Sequence, residues 1–82
     1  MKEILFKGET PETMCQYIGL TDKNGNKVFE NDIMANGLTK CVIKYNDYHA
    51  CFMFFDMEGY PLKTFTADTL KNWEVIGNIF DI

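Results

Sequence analysis

Residues 22–33 read DKNGNKVFENDI, and this stretch holds the strongest local fold signals of the chain. The pair Asn24-Gly25 in its polar tip is a strong signal for a β-hairpin, because both residue types accept positive φ at low cost. The tip therefore predicts a hairpin that joins a strand over residues 14–20 to a strand over residues 27–29.

The second half of the same stretch predicts a bend. Asn31-Asp32 interrupts an apolar run, and Asn tolerates left-handed backbone better than any residue except Gly. We expect Asn31 to occupy a tight bend or bulge that redirects the chain. A second Asn-Gly turn signal follows at residues 35–38.

Outward from this stretch, short runs of strand-forming residues alternate with turn residues, a spacing typical of small all-β folds. Residues 66–73 are the one segment with helical character, with Thr66 as N-cap and with Leu70 and Trp73 one turn apart. The sequence predicts a single domain over residues 1–82. Its fold is mainly β: a small, strongly bent antiparallel sheet or a partly open SH3-like barrel, with one short helix near 67–73. The predicted strands span residues 2–6, 14–20, 27–29, 39–45, 49–55, 60–65 and 73–80.

Two of these strands carry informative side-chain patterns. Residues 39–45 alternate between apolar and Lys-bearing positions, which predicts a half-exposed strand. Residues 49–55 are apolar on both faces, which predicts that both faces are covered. Phe52 and Phe54 share one of these faces, and the sequence leaves open whether that face belongs to the core or to an interface with another subunit or partner.

The closing strand, residues 73–80, predicts two core positions, Val75 and Ile79. Gly77 between them predicts a bulge or a close backbone approach.

Composition narrows the classes of partner. The chain has 82 residues, a formal net charge of −4 and eight basic residues, all of which are Lys. Without Arg and with an acidic balance, direct binding to nucleic acid is not expected. No apolar run is long enough to span a membrane, and the N-terminus lacks the features of a signal peptide, so we expect a cytoplasmic protein.

The chemistry-bearing residues predict neither an enzyme nor a metal or cofactor site. Cys15, Cys41 and Cys51 lack the paired spacing of zinc ligands, and His49 is the only histidine. We expect three free thiols that act as small buried apolar groups in a reducing compartment. No catalytic residue is predicted.

The acidic and amide side chains mostly fall at turns, where they stabilise local backbone. A binding role for the same residues stays open, because loops often carry function. The polar candidates for a protein interface, beside Phe52 and Phe54, are Asp22, Lys23, Asn24, Glu30 and Asp32.

Three segments, MKEILFK, QYIGLTDKNGNKVFENDI and WEVIGNIF, resemble the YopX family of phage and prophage proteins. The resemblance implies a mostly β fold and a phage or prophage origin, and it implies no established activity. Asn31 stands where the family usually has Gly, which fits the bend inferred above. The matching positions are Tyr17, Gly19, Leu20, Asp22, Lys23, Asn24, Gly25, Phe29, Glu30, Asp32, Ile33 and residues 74–79.

Together these observations predict a non-enzymatic phage or prophage accessory protein that binds a host or phage protein. The narrowest version is an inhibitor of a host defence system, comparable to an anti-CRISPR protein. The alternative is a self-assembling structural module, which would form a homo-oligomer.

Overall fold

The computed structural model describes residues 6–8 and 10–80, so most of the strand predicted over residues 2–6 lies outside the described residues. The described strands form two antiparallel sheets. One contains β1-β2-β3 and the other has the order β7-β6-β5-β4-β8. The elements are β1 (Phe6–Lys7), a 3₁₀ turn (Pro11–Thr13), β2 (Cys15–Thr21), β3 (Lys27–Phe29), β4 (Asp32–Asn36), β5 (Thr39–Asn46), β6 (Cys51–Phe55), β7 (Pro61–Thr64), α1 (Ala67–Leu70) and β8 (Glu74–Asn78).

This architecture confirms the mainly β prediction and selects the sheet over the barrel. In the five-stranded sheet, β7 and β8 lie at opposite edges and do not pair with each other. The 3₁₀ turn was not predicted from the sequence, although Pro11 is suited to a first helical position.

The core lies between the inner face of the five-stranded sheet, the β2–β3 hairpin and the segment around α1. Phe54 is its centre, with ring centroids 4.8 Å from both Phe65 and Trp73. Aromatic rings at such distances bury large apolar areas, which a chain of this size requires. The buried cluster consists of Ile18, Val28, Met34, Cys41, Ile43, Phe54, Leu70 and Trp73.

Helix α1 begins as predicted and ends earlier than predicted. The backbone N–H of Thr69 donates to Thr66 Oγ1 over 3.3 Å, which is the expected N-cap. The α-helix ends at Leu70, and the backbone N–H of Trp73 donates to the Leu70 carbonyl over 3.0 Å to close the last turn. Leu70 and Trp73 are both buried, so packing holds this short helix in place.

The half-exposed prediction for β5 is wrong. Val42 is buried on the face that was expected to be open, and Lys44 beside it is partly buried. The reason is position: β5 is the central strand, paired with β4 on one side and β6 on the other. By contrast, the prediction that both faces of β6 are covered is confirmed, since Met53 and Phe54 are both buried.

The last strand shows where simple alternation fails. Its pairing with β4 shifts register between Ile33 and Met34, opposite Gly77 and Val75, which confirms the bulge. Because the bulge offsets the side-chain alternation, the predicted core residue Ile79 is exposed and Asn78 is buried instead.

Among the described residues, no helix is long and apolar enough to cross a membrane.

Candidate functional site

The tip of the β2–β3 hairpin is organised by one carboxylate. Asp22 Oδ1 accepts the backbone N–H groups of Asn24 and Asn26 over 2.9 and 2.8 Å. Gly25 has φ of 82°, whereas Asn24 stays outside the positive-φ region. The hairpin is therefore as predicted, but its turn is built by Asp22 and Gly25 rather than by an Asn-Gly pair.

The same turn is docked onto the start of β8 and onto Trp73, the residue before it. Asp22 Oδ2 accepts the Val75 N–H over 3.0 Å, and the Lys23 N–H donates to the Trp73 carbonyl over 3.0 Å. The Lys23 ammonium also lies 3.8 Å from a Glu74 carboxylate oxygen. The turn thus supplies an acceptor and a donor to backbone groups at the edge of the sheet, on the side of β8 that does not pair with β4.

Asp22 remains charged because of these contacts. Burial of Asp22 disfavours its anionic form, but the N–H groups of Val75, Asn26 and Asn24 outweigh burial and hold the pKa of the carboxyl below its ordinary value. Asp22 is buried, so in the folded chain its side chain is not exposed to a partner as the sequence analysis had predicted.

Asp32 forms a second buried carboxylate centre, at the junction of the two sheets. Its Oδ2 accepts the Phe29 N–H over 2.7 Å, and its Oδ1 accepts Asn78 Nδ2 over 2.9 Å. Lys7 Nζ lies 3.1 Å from the same Oδ1 and compensates the negative charge. Asp32 is fully buried and its contacts reach β1, β3 and β8, so it ties the sheets together and does not present a binding surface.

The remaining polar candidates differ in exposure. Glu30 is half-buried, and its carbonyl accepts Asn78 Nδ2 over 3.3 Å. Lys23 and Asn24 are exposed at the hairpin tip. Of the five polar residues singled out from the sequence, these two are the ones with side chains open to a partner.

The two aromatic interface candidates, Phe52 and Phe54, differ in burial. Phe54 is 1% exposed in the centre of the core. It is therefore a core residue, and its predicted place in an interface is wrong. Phe52 is partly buried and packs against the core at the end of the sheet.

Two of the three thiols, those of Cys15 and Cys41, are buried in the described part of the chain. Cys15 is buried beside the amides of Asn31 and Asn78, whose Nδ2 atoms lie 3.6 and 3.9 Å from its sulfur. An amide cannot take a proton from a thiol, and His49 is exposed on the β5–β6 hairpin. Burial raises the pKa of Cys41 to about 11 despite the opposing charge of Lys63, so its thiolate is scarce at neutral pH.

The β5–β6 hairpin presents a set of rings that we name the aromatic tip: Tyr45, Tyr48, His49 and Phe52. Tyr48 is 91% exposed and contacts His49 edge-on, with ring centroids 5.1 Å apart. Tyr45 and Phe52 form a second edge-on pair at 5.3 Å on the adjoining strands. Tyr is enriched at protein interfaces because it offers a large, rigid contact area together with a hydroxyl.

The aromatic tip is held in a defined shape. Asn46 Oδ1 accepts the His49 N–H over 3.0 Å, and Ala50 closes the loop with φ of 54°. Left-handed backbone costs an alanine about 1–2 kcal/mol, and such strain concentrates at functional loops. An ordered loop with an exposed ring loses less side-chain and backbone freedom when it binds.

In a comparison with known protein families, a family model described as YopX protein matches residues 2–82, which is essentially the whole chain. The chain belongs to the YopX family. Membership in the YopX family suggests a phage or prophage protein. No curated protein matches the chain.

The YopX resemblance rested partly on residues that the structure shows to be architectural. Asp22 and Asp32 both belong to the matched segment, and both hold backbone groups of neighbouring strands. Sequence reasoning singled out Phe52 but missed Tyr48 and His49 of the aromatic tip, because residues 46–48 were interpreted as a turn and His49 as the first residue of a strand. The signal that could have found them is two aromatic side chains side by side in a hairpin loop, where polar residues are expected.

Proposed function

We propose that this YopX-family chain is a non-enzymatic accessory protein that binds a protein partner of the host or phage through its aromatic tip. The observation that carries the proposal is the nearly full exposure of Tyr48 on a hairpin loop with ordered backbone. Exposed Tyr at the end of a rigid hairpin is the kind of anchor that dominates protein interfaces.

The charge of the chain supports a protein partner. With a net charge of −4 and no Arg, the chain has an unfavourable charge balance for nucleic-acid binding, which depends on contacts between basic side chains and phosphates. Rings at the aromatic tip could stack on bases, but the phosphate contacts that supply most of the affinity in such complexes would be absent. A non-enzymatic role is supported by the surroundings of Cys15 and Cys41 in the described part of the chain, where neither thiol is shown beside a base.

The proposal is tested with Tyr48→Ala and a matched control, Leu38→Ala. Leu38 is fully exposed in the β4–β5 turn, so its removal also deletes a large exposed side chain without disturbing the core. Tagged wild type and both variants are used to capture partners from a lysate of the bacterial host, with circular dichroism to verify folding. We expect Tyr48→Ala to lose at least tenfold of the captured partner and Leu38→Ala to retain it. Equal capture by all three proteins would contradict a role for the aromatic tip.

Inhibition of a host defence system is the narrower form of this proposal, and small size, acidity and YopX membership support it. Its test is the plating efficiency of a phage on a host with an active CRISPR defence that expresses the wild type or Tyr48→Ala. The inhibitor proposal expects restored plating only with the wild type. Unchanged plating together with a retained protein partner would reject the inhibitor role and leave the binding role standing.

A further inference from the structure

The chain contains a second turn with the same construction as the Asp22 turn. In the turn between β6 and β7, Asp56 Oδ1 accepts the N–H groups of Glu58 and Tyr60, both over 2.9 Å. The Asp56 N–H donates to the Tyr60 carbonyl over 2.8 Å, and the Gly59 N–H donates to the Asp56 carbonyl over 3.1 Å. Gly59 has φ of 97° in the place that Gly25 occupies in the first turn.

The bonds of the first turn repeat this set. Asp22 Oδ1 accepts two N–H groups, its own N–H donates to the Asn26 carbonyl over 2.9 Å, and the Gly25 N–H donates to the Asp22 carbonyl over 3.1 Å. Residues 22–26 and 56–60 are therefore two copies of one local structure. Their surroundings, however, differ.

Only the first copy is docked. Asp22 Oδ2 holds the Val75 N–H in β8, and the Lys23 N–H holds the carbonyl of Trp73, the residue before β8. The equivalent groups of the second turn, Asp56 Oδ2 and the Met57 N–H, have no partner in the described part of the chain. Because the two turns have the same internal hydrogen bonds, Asp56 Oδ2 and the Met57 N–H are arranged in the same way as Asp22 Oδ2 and the Lys23 N–H. In the first turn, this arrangement binds extended backbone.

The exposed side chains of the second turn are more apolar than those of the first, as expected for a surface that binds a protein. Met57 stands where the first turn has Lys23, and Tyr60 stands where it has Asn26. Met57, Tyr60 and the adjoining Leu62 are each more than half exposed. Apolar side chains beside an unsatisfied backbone-binding pair are typical of a surface that another protein covers.

We propose that the Asp56 turn binds an extended edge strand of a partner protein, with Asp56 Oδ2 accepting a strand N–H and the Met57 N–H donating to a strand carbonyl two residues earlier. Edge strands present unpaired N–H and C=O groups, and the first turn shows that this pair of groups satisfies them. The surface is separate from the aromatic tip, because Cys51–Phe55 runs from one to the other over roughly 16 Å. The inference therefore does not depend on the proposed function.

The probe is a blocked peptide with the sequence NWEVIG, residues 72–77, because it contains the segment that the Asp22 turn holds. The peptide is titrated to millimolar concentration into the ¹⁵N-labelled full chain while amide shifts are recorded. We expect saturable shifts at Met57, Glu58 and Gly59. A peptide with N-methyl-Val at the position of Val75 keeps every side chain but lacks the donor, and we expect at least tenfold weaker binding.

Asp56→Asn is the matched protein variant. Its amide keeps an oxygen for the Glu58 and Tyr60 N–H groups and replaces the outward oxygen by a donor, so the turn persists while the acceptor is lost. We expect at least tenfold weaker peptide binding with an otherwise unchanged amide spectrum. Absent shifts at the turn, or equal binding by the N-methyl peptide, would overturn the inference. Self-association of the wild type that Asp56→Asn abolishes would also overturn it, since a second copy would then occupy the surface.

Discussion

At the scale of single residues, two non-glycine positions within residues 6–8 and 10–80 hold the backbone in the left-handed region: Asn31 with φ of 69° and Ala50 with φ of 54°. The sequence predicted the first, because Asn interrupting an apolar run signals such a bend. It could not predict the second, because alanine has no preference for positive φ, and the strain at Ala50 is imposed by the hairpin around it.

The bend at Asn31 is fixed by its neighbours. The Asn31 N–H donates to the Ile43 carbonyl over 2.6 Å, and the Asn31 carbonyl accepts the Ile79 N–H over 3.0 Å. The bend thus connects the end of β3 to the backbone of β5 and to the residue after β8. Its backbone conformation is set by these contacts and cannot relax when the side chain changes.

This gives a prediction for two substitutions at one site. Asn31→Gly should be close to neutral in the free energy of unfolding, since Gly accepts positive φ and the lost contact to Cys15 is weak. Asn31→Val should cost about 1–2 kcal/mol, because a β-branched residue is strained there. Urea unfolding of both variants measures the difference. Equal midpoints would show that the left-handed conformation does not constrain the residue.

At the scale of elements, turn chemistry and N-capping were predictable and register was not. The hairpin at residues 22–26 and the Thr66 cap follow from local residue preferences. The burial of Asn78 in place of Ile79 and the burial of Val42 in β5 depend on pairing partners that lie far away in the sequence. A pattern within one strand cannot report which strands lie on either side of it.

The Asp22 turn supplies a prediction about pH. The folded pKa of Asp22 lies below its ordinary value, so its contribution to stability is complete above the unfolded pKa, near pH 4, and is lost as the pH falls through the folded pKa. Asp22→Asn replaces Oδ2 by a group that cannot accept the Val75 N–H. We expect it to lower the free energy of unfolding at pH 7 by about 1–3 kcal/mol.

The control for this prediction is Asp56→Asn, which alters the equivalent turn where no strand is docked. Urea unfolding of the wild type and both variants is measured from pH 7 to pH 2.5. The difference between wild type and Asp22→Asn should shrink below about pH 4, as the wild-type carboxylate protonates. A difference that stays constant with pH, or an equally large effect of Asp56→Asn at pH 7, would contradict the docking role of the charged Asp22.

At the scale of the whole molecule, the two sheets are joined by polar as well as apolar contacts. Asn78 reaches Asp32 across 46 positions of sequence, and Lys7 reaches the same carboxylate from the other sheet. No local pattern predicts such a centre, because a buried Asp has the same sequence neighbourhood as an exposed turn Asp. The exposed Tyr48 of the aromatic tip escaped prediction for the related reason that exposure of a loop residue is set by the fold around it.

The apolar core also joins the two sheets, and the burial of Phe54 limits how much of β6 a partner could contact. Phe54→Ala removes a fully buried ring that contacts Phe65 and Trp73, and we expect it to cost about 3–5 kcal/mol of unfolding free energy. Phe52→Ala removes a partly buried ring at the sheet end, and we expect a smaller loss. Thermal and urea unfolding followed by circular dichroism compare the two variants.

The double variant Phe52→Ser/Phe54→Ser then separates the two interpretations of this strand face. If Phe54 is a core residue, the combined loss exceeds the stability of most small domains, and the double variant should be unfolded at room temperature. A folded double variant that no longer binds its partner would return Phe54 to the interface and would contradict the core packing described here. Tyr48→Ala distinguishes this outcome from loss of the aromatic tip, because Tyr48 is 91% exposed and its removal should leave the free energy of unfolding within about 0.5 kcal/mol of wild type.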